Sequence, residues 1–350
     1  MRIGVIVTTY NNSDSILRCL NSVKYFKNKL TKYDIRIILV DDASVDNTPK
    51  LLLEFTKTIP STIFKKYNKN GGVSRSRNYG ISKSLDMDYL LFVDGDDELD
   101  SKLSNCLSTK KLVNDFYTFD FSIGGNKKNT LCNHLETGRI FNDKSISDYL
   151  FSYLIRPNRK SMFISCWAKL YKTKLLKTNV NLRFKEKMKI YEDLYFVLRF
   201  MRKCKTIEYI KVPSYIYRNK TKLKDRASMG CNWNVLQLFS FVSALRHLRF
   251  YLIEKKQNID HVNLKIFHCI AVYTCISSAR AWIRVHSFSE YIKMFYQLKK
   301  VYKKPIIEKS LKIYNVDKAN GNKLITFYLK KKLFFMASIL TFIHSRKRYK

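Results

Sequence analysis

The sequence predicts an α/β fold: an open mixed sheet flanked by helices, continued by a mostly helical C-terminal region. Three observations predict it. Short β-branched apolar runs alternate with segments of helical period over the first 93 residues, polar clusters follow those runs, and strand signals fade beyond about residue 220. A strand covered on both faces of a parallel sheet reads as an almost unbroken apolar run. Strands and helices in alternation imply right-handed crossovers within one sheet.

The elements follow in order. Residues 3–9 and 35–40 are short, β-branched and apolar, and read as the first two strands. Between them Ile16, Leu17, Leu20 and Val23 recur at the spacing of one helical face. Thr48-Pro49 reads as an N-cap with proline in the first turn, and residues 51–55 carry that helix on. Residues 61–67 read as a third strand, 73–84 as a helix and 89–93 as a fourth strand. Further strands at 116–123, 165–172 and 206–212 extend the sheet in mixed sense, with a helix at about 192–203. Apolar-periodic segments at 233–253, 264–285 and 290–302 then predict a helical appendage, dividing the chain into 1–220 and 221–350.

The run 333–343 lies between Lys330-Lys331-Lys332 and Arg346-Lys347-Arg348. It falls well short of the ~20 apolar residues a bilayer span needs. It suits a helix lying in an anionic membrane interface, at ~1 kcal/mol per Lys or Arg, or a terminal helix docked on its own domain.

Composition narrows the partners without choosing one. The chain carries 66 Lys and Arg against 28 Asp and Glu, a net charge of +38. That charge points to nucleic acid, an acidic membrane surface or a phosphorylated substrate, although a Lys-, Asn- and Ile-rich codon bias accounts for it equally well. A hydrophobic fraction of 46% supports a sizeable core. The eight cysteines contain no C-x-x-C pair, which argues against zinc or a redox pair and fits a reduced cytosolic setting. The amino terminus runs straight into the first strand without a cleavage site, so no export signal is expected.

Open α/β sheets bind ligands beyond the carboxyl ends of their strands. Here the first run ends in Thr8-Thr9-Tyr10-Asn11, the second in Asp41-Asp42-Ala43-Ser44 and the fourth in Asp94-Gly95-Asp96-Asp97. One acidic turn is usually a capped helix or solvated loop. Three polar ends on one rim point to a ligand site. Asp94 and Asp96, two residues apart on a tight turn, repel one another unless a divalent cation joins them. Mg²⁺ or Mn²⁺ bridging diphosphate oxygens satisfies both. Neither a P-loop nor G-x-G-x-x-G follows any strand. Asn70-Gly71-Gly72-Val73-Ser74-Arg75-Ser76-Arg77 places flexible backbone and two arginines at a helix start. That suits a diphosphate, or is a glycine turn with surface arginines.

Taken in order, these segments resemble the motif set of family 2 glycosyltransferases of the bacterial surface-polysaccharide type. The resemblance rests on residues 5–11, on Val40-Asp41-Asp42-Ala43-Ser44, on Asn70 to Gly80 and on Val93-Asp94-Gly95-Asp96-Asp97. It extends to Trp167-Ala168-Lys169-Leu170-Tyr171, Tyr191-Glu192-Asp193-Leu194 and Tyr215-Ile216-Tyr217-Arg218, covering Met1 to about Lys220. It implies a GT-A fold and transfer with inversion at the sugar. It implies that Asp41 hydrogen-bonds the nucleotide base, that Thr9, Tyr10 and Asn11 line the same pocket, and that Arg77 lies near the base or diphosphate. Asp94 resembles the ribose- or metal-side carboxylate and Asp96 the direct metal ligand. Asp193 resembles the catalytic base, with Glu192, Trp167 and Lys169 as acceptor-side or supporting residues. Ala43 departs from the family's usual glycine, and the lysine-rich stretch 219–226 reads as an insertion.

The expected reaction moves a sugar from a nucleotide diphosphate donor, UDP by resemblance, to an acceptor hydroxyl, with Mn²⁺ or Mg²⁺ as cofactor. The expected setting is surface glycan assembly on a glycan or lipid-linked glycan acceptor, with the protein peripheral on the inner face of the cell membrane and no nucleic acid as partner. Two rivals stand beside it. A nucleotide-sugar-forming nucleotidyltransferase would resemble its own family in a G-x-G-T-R loop after strand one, where this chain has Thr8-Thr9-Tyr10-Asn11-Asn12. A basic nucleic-acid-binding protein would carry a recognisable module, and none is legible.

Overall fold

The computed structural model describes residues 1–124, 139–141, 143–155, 165–188, 190–218, 237–255, 257–282, 285–314 and 323–348. The chain forms two compact units, Met1–Ile146 with Lys160–Asp225, and Ser147–Arg159 with Arg226–Lys350.

The first unit is built on a mixed sheet. β1 (Arg2–Thr9) lies between β2 (Asp34–Asp41) and β4 (Tyr89–Asp94), parallel to both, and β3 (Ile63–Lys66) pairs with the outer edge of β2. β8 (Lys169–Lys172) runs antiparallel to β4 and to β6 (Phe116–Ile123), which pairs in parallel with β9 (Ile207–Tyr217). The short β5 (Glu98–Leu99) and β7 (Arg139–Phe141) pair antiparallel to β9. Side chains alternate across the sheet. Ile3, Val5 and Val7 join a core with Ile16, Cys19, Leu20, Val23 and Phe26 of α1 (Ile16–Lys29). Ile6 faces α3 (Val73–Ser82), so closely that a β-carbon on Gly80 would stand 2.3 Å from it.

Several boundaries differ from expectation for identifiable reasons. β8 begins at Lys169 rather than 165, because Ala168 takes φ 56° and interrupts extended backbone. β9 continues past 212 through Pro213. The ladder shifts register opposite Asp120 there, and a bulge removes the need for a proline N–H. Thr48, expected as an N-cap, is the first residue of α2 (Thr48–Thr58), and Asn47 precedes it. α4 (Ser101–Thr109) was not foreseen. Its start is capped by the Asp100 side chain, which accepts from Lys102 N at 3.0 Å. α6 (Thr173–Thr178) and the start of α5 (Asp143–Ile155) were likewise not foreseen, whereas α7 (Glu192–Met201) was.

In the second unit all described elements are helices: the rest of α5, α8 (Gln237–Glu254), α9 (Ile259–Trp282), α10 (Phe288–Tyr302), α11 (Pro305–Ile313), α12 (Lys323–Lys330) and α13 (Phe334–Arg348). Trp282 is fully buried against Tyr291 and Phe342, with ring centroids at 4.8 and 6.0 Å. A capping box of Ser287 and Glu290 starts α10. α13 is docked on its own unit through Ala337, Ser338 and Thr341, and Ser338 shares a 2.7 Å hydrogen bond with Tyr291. It nevertheless leaves Phe335 and Met336 in solvent, as α12 leaves Leu324 and Phe327. No helix among the described residues is long and apolar enough to cross a membrane. The expected helix start at 233 and the stretch 219–226 lie outside the described residues.

Candidate active site

The polar strand ends adjoin because β1 separates β2 from β4. Thr9 stands opposite Asp41 and Thr8 opposite Asp94. Pairing continues beyond the strands: Asp42 N donates to the Thr9 carbonyl and Gly95 N to the Thr8 carbonyl, each at 2.9 Å. A β-carbon on Gly95 would lie 2.8 Å from the Thr9 side chain, so only glycine permits this approach. The first two loops are laced together by Asn11 N to Ser44 Oγ (2.8 Å), Asn12 N to Thr48 Oγ1 (2.8 Å) and Ser13 N to Asp46 Oδ2 (3.0 Å). Asn11 Oδ1 accepts in turn from Val45 N (3.0 Å), and the Thr9 hydroxyl donates to Asn12 Oδ1 (2.8 Å). Tyr10 stays exposed.

Asp41 is fully buried and accepts both the N–H and the hydroxyl of Ser44. Burial pushes its pKa up, and those two bonds pull the other way. Asp42 organises the glycine segment. Its carboxylate accepts from Gly72 N (2.6 Å) and Gly71 N (3.0 Å) and pairs with Arg75 at 2.6 Å. Arg75 also stacks 3.7 Å over the Tyr67 ring, so this arginine is committed to structure.

Arg77 joins the remaining parts. Only 3% exposed, its guanidinium reaches Asp94 (2.8 Å), Glu192 (3.3 Å) and Asp193. The end of β4, the middle of α3 and the start of α7 therefore meet on one buried cation. An arginine near a base or diphosphate was expected, and here its fork is shared among three carboxylates, which five N–H donors make feasible. Asp193 Oδ2 also accepts from Cys166 N at 3.1 Å. Glu192 is pushed up to about 8 by burial, reinforced by the charge of Asp193. Tyr191 takes φ 64° at the entry to α7, and Ala43 (φ 68°) and Ala168 (φ 56°) are left-handed in neighbouring loops. Such residues cost ~1–3 kcal/mol each and persist where surrounding structure holds them.

The acidic turn has a second layer of support. Asp97 is buried and pushed up to about 8 by burial, then by the charges of Asp96 and Asp94. The Tyr215 hydroxyl donates to Asp97 Oδ2 (2.8 Å) and accepts from Asp94 N (3.1 Å), while Arg218 N donates to Asp97 Oδ1 (2.7 Å). Trp167 lies parallel to Tyr215 at 4.6 Å and to Tyr217 at 5.6 Å. Buried Lys169 donates to the Trp167 carbonyl at 3.0 Å. Sequence reasoning assigned no role to Asp42, Asp97, Tyr215 or Arg218. The third acid after Gly95 was a visible signal for Asp97, whereas Tyr215 arrives from a distant strand.

Among the described residues no three His, Cys, Asp or Glu side chains gather as a preformed metal site. The turn supplies hard oxygen donors, Asp94 and half-exposed Asp96, whose negative charge adds to burial in raising Asp97. That donor set fits a dication such as Mg²⁺ or Mn²⁺ completing its shell from ligand oxygens.

A family model described as Glycosyl transferase family 2 matches residues 4–178. The chain belongs to that family. Among its relatives, the uncharacterized glycosyltransferase EpsJ of Bacillus subtilis (strain 168) is 27% identical over 220 residues, covering 62% of this chain and 60% of EpsJ. The poly(ribitol-phosphate) beta-N-acetylglucosaminyltransferase TarS of Staphylococcus aureus (strain Mu50) is 25% identical over 224 residues, 63% of this chain and 36% of TarS. This chain thus spans only part of either relative's length. Among solved structures, S. aureus TarS 1-349 in complex with UDP-GlcNAc superposes with a TM-score of 0.67 at 18% identity, over 100% of this chain and 93% of that one. The likeness shows that the family 2 fold here is of the GT-A kind, a mixed sheet flanked by helices.

Proposed function

We propose that this chain is an inverting glycosyltransferase that moves a sugar from a nucleotide diphosphate donor, a UDP-sugar, to an acceptor hydroxyl of a surface glycan or lipid-linked glycan. Membership of family 2 supports this over a nucleotidyltransferase, and relatives named for poly(ribitol-phosphate) support a surface-polymer acceptor. The observation that carries the reading is Arg77, which draws the acidic turn and the α7 carboxylates into one cluster.

In this mechanism the base and ribose lie against the loops of Thr9, Tyr10 and Asn11, backed by Asp41. Asp94 and Asp96 would hold Mn²⁺ or Mg²⁺, which when bound offsets charge on the diphosphate leaving group. Asp193 takes the proton of the attacking hydroxyl. Its two oxygens offer about four acceptor sites, of which the bonds from Arg77, Cys166 N and the protonated Glu192 carboxyl use three, leaving one for the acceptor. Those same bonds fix its direction. Glu192, with its pKa near 8, is largely protonated at neutral pH and limits the negative charge around the base. Trp167 offers an apolar ring on the acceptor side, and buried Lys169 supports its backbone. The protein acts at the inner face of the cell membrane, held by the exposed apolar residues of α12 and α13 and their neighbouring lysines.

The test is Asp193→Asn, assayed with a panel of nucleotide sugars and Mn²⁺. Donor affinity should change less than about threefold while transfer falls by two orders of magnitude or more, the scale expected for loss of a general base. Near-normal turnover removes Asp193 from this role.

A further inference from the structure

Within the helical unit, α8, α9 and α11 do not close on one another. They leave a cavity of about 350 Å³. Protein interiors hold few voids larger than a water molecule, and a space of this size falls at the lower end of ligand pockets. Its wall is graded. Val242 and Ile270 line the buried end at 6% and 1% exposure, while Arg246 and Phe250 line the open end in solvent. On α8, residues 242, 246, 249 and 250 share one face at helical spacing, so the gradient follows from the sequence.

The charge of that wall has one sign. Arg246 and Arg249 line it together with no acidic residue. Arg249 Nε donates to Asn263 at 2.6 Å, which aims its guanidinium, and neither arginine has a carboxylate partner among the described residues. A third cation, Lys309, lies 5.0 Å over the ring of Phe267, itself part of the wall. Two guanidiniums kept free of acids beside an apolar slot form a fork for phosphate oxygens. From Arg226 to Lys350 the sequence holds 24 Lys and Arg against 5 Asp and Glu, so the surrounding field also favours an anion.

We propose that this pocket binds one anionic phospholipid, its acyl chain between α8, α9 and α11 and its phosphate on Arg246 and Arg249. An apolar molecule would leave the arginines unused, and a small anion would leave the apolar end empty. An anionic amphiphile satisfies both. The site goes beyond the surface contact assigned to α12 and α13, and does not rest on the transferase reading.

The test uses the full chain and short-chain dihexanoyl phosphatidylglycerol below its micelle concentration, with binding read by native mass spectrometry and titration calorimetry. One lipid should bind, and Arg246→Glu with Arg249→Glu should weaken it at least tenfold. Val242→Phe, which fills the buried end and keeps both arginines, should weaken it similarly. Lys330→Gln with Lys331→Gln, which leaves the Lys332–Glu308 ion pair to α11 in place, should leave single-lipid binding intact while reducing adsorption to phosphatidylglycerol vesicles. Three outcomes overturn the site: undiminished binding in the arginine variant, equal binding of dihexanoyl phosphatidylcholine, or glycerol phosphate binding as tightly as the lipid. The last would identify a site for a soluble phosphate. Transfer by the arginine variant from nucleotide sugar to a soluble acceptor reads the catalytic proposal separately.

Discussion

Arg77→Met isolates the buried cation from its shape. Methionine keeps much of the apolar stem and removes the guanidinium from Asp94, Glu192 and Asp193, whose side chains are 26%, 13% and 19% exposed. A single pair of charges 4 Å apart is worth about 4 kcal/mol at an effective dielectric of ~20. Repulsion among the three acids offsets part of the total in the native protein, so pairwise sums overstate it. Deleting one partner of a buried pair costs about 3–5 kcal/mol, because the survivors are left uncompensated, and that range is expected at pH 8.

The loss should depend on pH with a definite sign. The Glu192 carboxyl sits at about 8 in the folded protein, against ~4.3 in an unfolded chain. A carboxyl raised by folding contributes stability below the unfolded value and loses it as pH climbs through the folded one. Without Arg77 only the backbone hydrogen bond of Glu192 itself opposes burial and the Asp193 charge at this carboxyl, so it moves further up. The part of the deficit carried by Glu192 should be absent at pH 5, where this carboxyl is protonated in both proteins. It should begin to appear at pH 8, where the wild-type carboxyl ionises and that of the variant does not. Hydrogen exchange of β1 and β4 amides through a urea series at both pH values reads the unit that contains the cluster. A loss below about 1 kcal/mol at pH 8, or equal losses at both pH values, refutes the hub.

Two further changes test the supports around the cluster. Ala43→Gly should relieve ~1–2 kcal/mol of left-handed strain while adding ~0.4–1 kcal/mol of unfolded-chain freedom, for a net stabilisation of up to about 1.6 kcal/mol read from urea unfolding. Tyr215→Phe removes the bonds to Asp97 Oδ2 and Asp94 N, should cost about 1–3 kcal/mol, and should raise the Asp97 carboxyl above about 8. By the same sign rule its thermal stability should fall further behind wild type at pH 9 than at pH 5.

The parallel half of the sheet was legible because both faces of its strands are covered, and burial on both sides leaves a one-sided composition that nothing else mimics. β5, β7 and α6 were not, since elements of two to six residues carry too little period to read. The site divides in the same way. Thr9, Asp41, Asp94 and Asp96 stand at strand ends, so the topology rule located them. The role of Arg77 was not legible. Its position on α3 is visible, but which acids reach it depends on how α7 returns to the sheet, a contact spanning 116 residues. Tyr215 was hidden for the same reason, reaching Asp94 across 121 residues of chain.

Where the backbone is strained separates a structural reading of the cluster from a functional one. Five described residues other than glycine adopt positive φ: Asn11, Ala43, Ala168, Tyr191 and Lys332. If loop irregularity alone were responsible, they would scatter over the loops of both units. Four lie instead in the loops that carry the strand-end polar groups, Trp167 and the Glu192-Asp193 pair, and only Asn11 is a residue type that tolerates this conformation readily. The same small region holds two carboxyls pushed up to about 8 and an arginine with three acid partners. Each feature alone is unfavourable, and the apolar sheet beneath it, with β1 buried on both sides, supplies the stability that tolerates them. A fold selected for stability alone would place glycine at position 43 and replace Arg77 and its three acid partners together with packed hydrophobic residues. Keeping strain and buried charge together on one rim is what a site needs when its carboxylates must be held in fixed directions before a ligand arrives.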